Sequence, residues 1–514
     1  MILDYVILGL YALSMVAIAF YTRNKAKSVK DFLLAGKRGL NGWMSAFSYG
    51  TAYFSAVIFI GYAGAFGAKY GLASVWIGVA NALFGGLLAW LVLAKRTKNM
   101  TTRLSAKTMP EFFEKRYSSQ KLKFLTAVVI FLFLIPYSAS VYNGLGSLFG
   151  MVFGIPGWAV TVALAILTAL YLTFGGYFAT AISDFIQGII MLVGVVLMVL
   201  CFMNHENVSW NLSALVENPE LSWFTFGSSN TGLYGNTVTL ISLILLTSFG
   251  VWGLPQTIHK YYAIRDKKAI TQGTVVSTVF ALIIGFGAYF VGALSGLFPN
   301  LLDGVASDNI IPIMLSAVIP SGLMGVIAVL ILSASMSTLS SVSLASASVV
   351  AVDLYKGKIN TDASDKKVNT VMRVMCLVFV AISVILALLN EKFGVTAIAY
   401  MMGISWGTLS GCFMGPFVLG LVSKRVTAPA VWSSVISALV LTAGLVVFFG
   451  YHKNGFEASF SQALADGVGC SPMIGVICMA FSLVITIVVS AFTKKPSEQA
   501  IYEAFDKPIE NEIK

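Results

Sequence analysis

FGVWGLPQ, residues 249–256, interrupts an apolar run that begins near residue 236. Gly250, Gly253 and Pro255 fall within six residues. In a regular helix interior each glycine costs about 1 kcal/mol and the proline about 3. The helix is therefore expected to break here. A second interruption, Gly50-Thr51, lies inside the apolar run 43–66. Irregular backbone at membrane depth leaves N–H and C=O groups that lipid cannot satisfy, so it is tolerated only inside protein or beside a cavity.

The runs around these breaks set the architecture. A spanning helix needs about 20 apolar residues. Cores are expected near 4–21, 43–66, 72–94, 124–150, 157–174, 180–203, 236–255, 273–296, 311–350, 370–389, 396–421, 430–450 and 471–493. The chain thus reads as an all-α membrane protein of about thirteen transmembrane helices. The ninth run is too long for one straight span. It is expected to begin as an external segment before Pro320. The breaks fall in the second and seventh spans, five apart. Interrupted helices in matching positions of two repeats point to a transporter binding site. An odd repeat length inverts the second copy, so helices 2–6 and 7–11 are expected to form two inverted repeats.

Composition agrees. Hydrophobic residues make up 58 % and charged residues 11 %, against roughly 25 % charged in a soluble protein. Such a surface must face membrane lipid. Net charge is +11, but its distribution explains it. Alternate loops hold 29 Lys and Arg on one side, against Lys69, Lys392 and Lys453 on the other. The positive-inside rule then places the N-terminus outside and the C-terminus in the cytoplasm. Nucleic acid is not an expected partner. The first span lacks a basic n-region and is not expected to be a cleaved signal peptide.

Catalytic chemistry finds no support. There is no GxxxxGK[ST] loop, no HExxH and no Cys/His cluster. His205, His259 and His452 lie near helix ends and are read as solvated or interfacial. One clear carboxylate lies within a span, Asp184, and an intramembrane charge normally faces the interior with a partner. The ninth span carries Ser337, Thr338, Ser340 and Ser341 on one helical face. Neutral oxygens in such a row suit a hard monovalent cation. They also suit close helix packing.

These residues resemble the sodium/solute symporter family, over about residues 4–450. The stretches LLAGKRGLNGW (33–43), TAYFSAVIFIGYAGAFGAKYG (51–71), GGYFATAISDFIQG (175–188), FGVWGLPQTIHKYYAIRDKKA (249–269) and SASMSTLSSVSLASASVVAVDLY (333–355) carry the likeness. The resemblance implies a LeuT-like core of two inverted five-helix repeats and Na⁺ as the coupling ion. It implies a sodium site of Thr51, Phe54 and Ala334 carbonyls with Ser337 and Thr338 side chains. It implies a second sodium site at Asp184, Ser340 and Ser341. The solute is expected beside Ser55, Tyr137, Ser140, Trp252 and Pro255. The sodium/pantothenate and sodium/proline branches are the nearest in pattern. Tyr53 stands where the proline branch has an aspartate, which favours a pantothenate-like carboxylate over proline.

The expected organisation is 1–39, an extra helix and cytoplasmic loop; 40–203, the first repeat; 204–235, an extracellular loop; 236–421, the second repeat; 422–493, two extra helices; and 494–514, a cytoplasmic tail. The expected activity is sodium-coupled import of a small organic solute. A proton-coupled symporter using Asp184 is the alternative, disfavoured because a proton needs no oxygen cage.

Overall fold

The computed structural model describes residues 2–22, 28–34, 39–224, 233–394 and 397–509. Residues 35–38 of the LLAGKRGLNGW loop, 225–232 of the expected extracellular loop and 510–514 of the expected tail lie outside the described residues.

Among the described residues the chain is helical, and its only β-like feature is a single bridge between Leu40 and Ile264. Ten helices are long and apolar enough to cross a membrane, and the bent pair Asn236–Trp252 with Pro255–Tyr262 makes eleven. The expected thirteen are not reached by that measure, for two physical reasons. Val57–Arg103 forms one run of 47 residues that turns without a gap. Gly157–Thr173 has 17 residues, short of a full span. The turn in the first case is Gly71, at φ +53°. A Cβ there would lie 2.4 Å from the Leu221 carbonyl oxygen, so only glycine fits. Gly176, at φ +59°, separates Gly157–Thr173 from Gly176–Asn204 in the same way.

The seventh-span break lies where expected, but the helix Gly42–Tyr53 runs on through Gly50-Thr51, so the second-span break falls beyond that pair, at Phe54. The two breaks are built alike. The helix Gly42–Tyr53 starts at Asn41, whose side chain accepts from the Met44 N–H. It stops at Phe54, an extended residue at φ −103°, ψ 121°. The chain restarts when the Ser55 hydroxyl accepts from the Val57 N–H at 3.3 Å. In the other break Leu254 is the extended residue, and Pro255 opens the next helix at a position that needs no N–H. The two parts of that span meet at 41°. The external segment expected before Pro320 is the helix Ile310–Val318, and the membrane helix begins at Met324.

Burial separates the helices by role. In the most apolar stretch of Met324–Ile359, 94 % of residues are buried, against 22 % for Ile2–Thr22. The hydroxyl-rich ninth span is therefore the inner post of the bundle. It packs on Gly42–Tyr53, Gln120–Phe153 and Gly157–Asn204. The first helix faces outward with Leu3, Leu10 and Leu13 exposed, as lipid contact requires.

Gly71→Ala is expected to lower stability by about 1–2 kcal/mol from backbone strain alone, and by more once Leu221 must move. Thermal unfolding of the detergent-purified protein would read this. An unchanged midpoint would contradict the turn described.

Candidate functional site

The break after Tyr53 faces the ninth span. The Thr51 carbonyl, in the last turn before the break, accepts from the Ser337 hydroxyl at 2.9 Å and lies 3.5 Å from the Thr338 hydroxyl. The same two hydroxyls reach the Ala334 carbonyl at 3.0 and 3.1 Å. Two carbonyls from different helices and two hydroxyls thus form a compact set of four oxygens. All four residues are buried. Each hydroxyl has one hydrogen, which rotates to suit its surroundings. Turned away, the hydroxyl hydrogens leave the lone pairs of both hydroxyls and both carbonyls free. The set carries no charge, and its oxygens suit a hard cation. Phe54, the fifth expected ligand, is the extended residue of the break, with its N–H bonded to Gly50 O at 3.2 Å.

Asp184 has a different partner from the one expected. The Ser48 hydroxyl donates to its Oδ2 at 2.6 Å, and Lys260 Nζ reaches the same oxygen at 3.3 Å. Lys260 also donates to Ser48 Oγ at 2.9 Å and lies 5.3 Å from the Tyr177 ring centroid. Both charged side chains are buried, Asp184 fully and Lys260 to 3 % exposure. Ser340 bonds back to Ser337 O at 2.9 Å, and the Ser341 hydroxyl has no hydrogen-bond partner. By sequence position Lys260 falls among the 29 Lys and Arg of the charged loops. Its helix, Pro255–Tyr262, is the second half of a broken span, so its side chain points into the protein. His259, beside it, is half-buried, with its ring edge-on to Tyr177 at 5.5 Å.

The expected solute residues divide. The Tyr137 hydroxyl is buried without a hydrogen-bond partner, near Ser55 and Thr338. Ser140 bonds back to Tyr137 O at 2.7 Å, as a packing hydroxyl does. Trp252 Nε1 donates to Phe84 O at 3.0 Å, which ties the seventh span to the third. Ser55 and Pro255 restart the broken helices.

Sequence reasoning missed Trp406. Its ring stacks 6.1 Å from Tyr53 and meets Tyr137 edge-on at 5.7 Å. Its Nε1 is buried without a hydrogen-bond partner. Tyr53 donates to Thr247 O at 2.6 Å and so links the two breaks. Asp353 was missed too, because it lies where a polar loop was expected. It is buried at the end of the ninth span, where Thr108 donates to it at 2.9 Å and Lys123 stands 3.8 Å away. Lys123 pairs more closely with Glu114, at 2.8 Å.

Residues 32–438 match the family model of the sodium:solute symporter family. The osmoregulated proline transporter OpuE of Bacillus subtilis is 29 % identical over 97 % of this chain and 96 % of its own length. The sodium/pantothenate symporter of Haemophilus influenzae is 28 % identical over 85 % of this chain and 89 % of its own. A solved structure of a Na⁺-coupled sialic acid symporter superposes with a TM-score of 0.77 at 18 % identity, covering 96 % of this chain and 99 % of the other. At that identity the likeness concerns the fold, which is that of the LeuT-like transporters. The chain belongs to the sodium:solute symporter family. It is a membrane transporter of a small solute, with Na⁺ as the coupling ion.

Removing one member of a buried ion pair typically costs about 3–5 kcal/mol, whereas replacing both by uncharged residues is often neutral. Lys260→Met is therefore expected to lower stability by about that amount in Na⁺-free buffer. Adding Asp184→Asn should restore most of it. Thermal unfolding of the two variants side by side would check this; equal loss in both would contradict the pairing.

Proposed function

We propose that this member of the sodium:solute symporter family imports a small organic carboxylate or amino acid by alternating access, pantothenate-like first and proline next. Na⁺ binds from outside at Thr51, Phe54, Ala334, Ser337 and Thr338. The observation that carries this is the convergence of the Thr51 and Ala334 carbonyls with the Ser337 and Thr338 hydroxyls between a broken helix and the ninth span. Without an ion, the hydroxyls hydrogen-bond to the carbonyls. With one, all four oxygens turn to it and hold the two helices together. That fixes the cavity beside them.

The solute then binds next to this junction. Tyr137, Ser55 and Trp406 supply unpaired or lightly used donors and aromatic faces. A carboxylate suits these donors and the bound Na⁺, while its apolar portion lies against the Tyr53 and Trp406 rings. The relatives divide between proline and pantothenate transport, and their identities to this chain differ by too little to favour either. Tyr53, bonded to Thr247 O rather than carrying a charge, favours a solute without a cationic group at that point.

A four-helix bundle within the inverted repeats at 40–203 and 236–421 then rocks against the rest and opens the site to the cytoplasm. The excess of Lys and Arg on one side supports an external N-terminus and a cytoplasmic C-terminus. Each Na⁺ crossing 100 mV releases about 2.3 kcal/mol.

Uptake of labelled pantothenate and proline into proteoliposomes tests this reading, with and without an inward Na⁺ gradient. One solute is expected to accumulate only with Na⁺. Ser337→Ala/Thr338→Ala should raise the Na⁺ concentration for half-maximal uptake at least tenfold, about 1.4 kcal/mol. Uptake that is indifferent to replacing Na⁺ by choline would overturn it. Trp406→Phe should weaken solute affinity several-fold and leave Na⁺ binding unchanged.

A further inference from the structure

We infer that the ammonium of Lys260 is the resident cation of Asp184, so that the transporter binds one Na⁺ per cycle, at the Thr51 junction, and none at Asp184. This rests on the sodium reading above and concerns the number of ions it uses.

The Asp184 carboxylate and the hydroxyls after Ser337 have the residue types of a second ion site. The geometry gives that carboxylate to a side chain instead. Lys260 Nζ contacts Asp184 Oδ2 at 3.3 Å and Ser48 Oγ at 2.9 Å, with the Tyr177 ring face on a third side. Ser48 completes the triangle by donating to Asp184 at 2.6 Å. The ammonium is surrounded by a carboxylate, a hydroxyl and a π-face. The other carboxylate oxygen, Asp184 Oδ1, is buried with no hydrogen-bond partner.

A mobile Na⁺ meets two obstacles here. It must displace a cation that is covalently tethered beside the carboxylate, and a tethered group competes at an effective concentration of order mM or above. If Lys260 stays, two cations share one carboxylate. At buried separations of a few ångströms like charges repel strongly. The negative charge that would draw the ion is already neutralised. Of the two serines expected there, Ser340 is bonded to its own helix, and Ser341 bonds to neither Asp184 nor Lys260.

The placement also has a mechanical meaning. Asp184 stands on Gly176–Asn204, Ser48 on Gly42–Tyr53, and Lys260 on the short helix after the second break. The triad therefore ties both broken spans to a third helix without a bound ion. With one Na⁺ per solute, a zwitterion carries one net positive charge across and a monoanion carries none. For a zwitterion, one charge at 100 mV supports about a fiftyfold gradient.

The test is the number of radioactive Na⁺ ions bound per purified full-length transporter at saturation. Wild type is expected to bind one, and Ser337→Ala/Thr338→Ala to need at least tenfold more Na⁺ to bind it. Lys260→Met, which frees the carboxylate, should bind two. Lys260→Met/Asp184→Asn should return to one. Two ions in wild type would overturn the inference while leaving sodium symport standing. One ion in folded Lys260→Met would overturn it as well. No ion in wild type would overturn the sodium site itself, and this inference with it. If Lys260→Met alone does not fold, the wild-type count and the doubly neutral variant decide: one ion in each supports the inference, and two in wild type refutes it.

Discussion

A helix that breaks inside a membrane must find partners for the backbone groups it releases. Lipid offers none, so the breaks at Phe54 and Leu254 can exist only where protein surrounds them. The ninth span meets that demand at the first break. Ser337 and Thr338 reach across to Thr51 O, and the helix that carries them is almost wholly buried. A helix with eight serines and a threonine from Ser333 to Ser348 would be a poor lipid-facing surface. The same composition makes it a suitable inner post. The outer helices, such as Ile2–Thr22, supply the apolar face that this post lacks.

The two breaks are also tied to each other, and aromatic residues do much of this. Tyr53 crosses from one break to Thr247 on the helix leading to the other. Trp406 lies between Tyr53 and Tyr137. Trp252 fastens the second break to Phe84. Large planar side chains fill space while presenting one polar atom each. That suits a region that must stay compact and still offer a few hydrogen bonds to a solute. The unpaired Tyr137 hydroxyl and Trp406 Nε1 are such atoms.

Charge serves two purposes in this chain. Most Lys and Arg residues lie outside the apolar cores, where the positive-inside rule applies to them. Lys260 and Asp184 form an internal pair, and Asp353 ends the ninth span against Thr108 and Lys123. An interior charge is stable only with such partners. Each pair joins separate helices.

Much of the protein was legible in its sequence. Apolar length, the paired Gly/Pro interruptions and the one-sided hydroxyl row follow from local pattern, because helix periodicity and lipid contact act residue by residue. They gave the helical membrane class and the broken seventh span, whereas the residues around Thr51 came from the family resemblance. The helix count was less legible, since the turn at Gly71 leaves no gap and Gly157–Thr173 is short. The partner of Asp184 was not legible at all. Lys260 sits next to Arg265, Lys267 and Lys268 and reads as one more loop cation. Only the restart of the helix at Pro255 turns its side chain inward, 76 residues along the chain from the carboxylate it meets. Trp406 escaped for the same reason: an aromatic residue in an apolar helix has no local mark of what it faces. Local pattern sets which face of a segment is wet, greasy or broken. Which side chains meet across that face depends on how helices distant in sequence are packed, and the tertiary structure alone decides it.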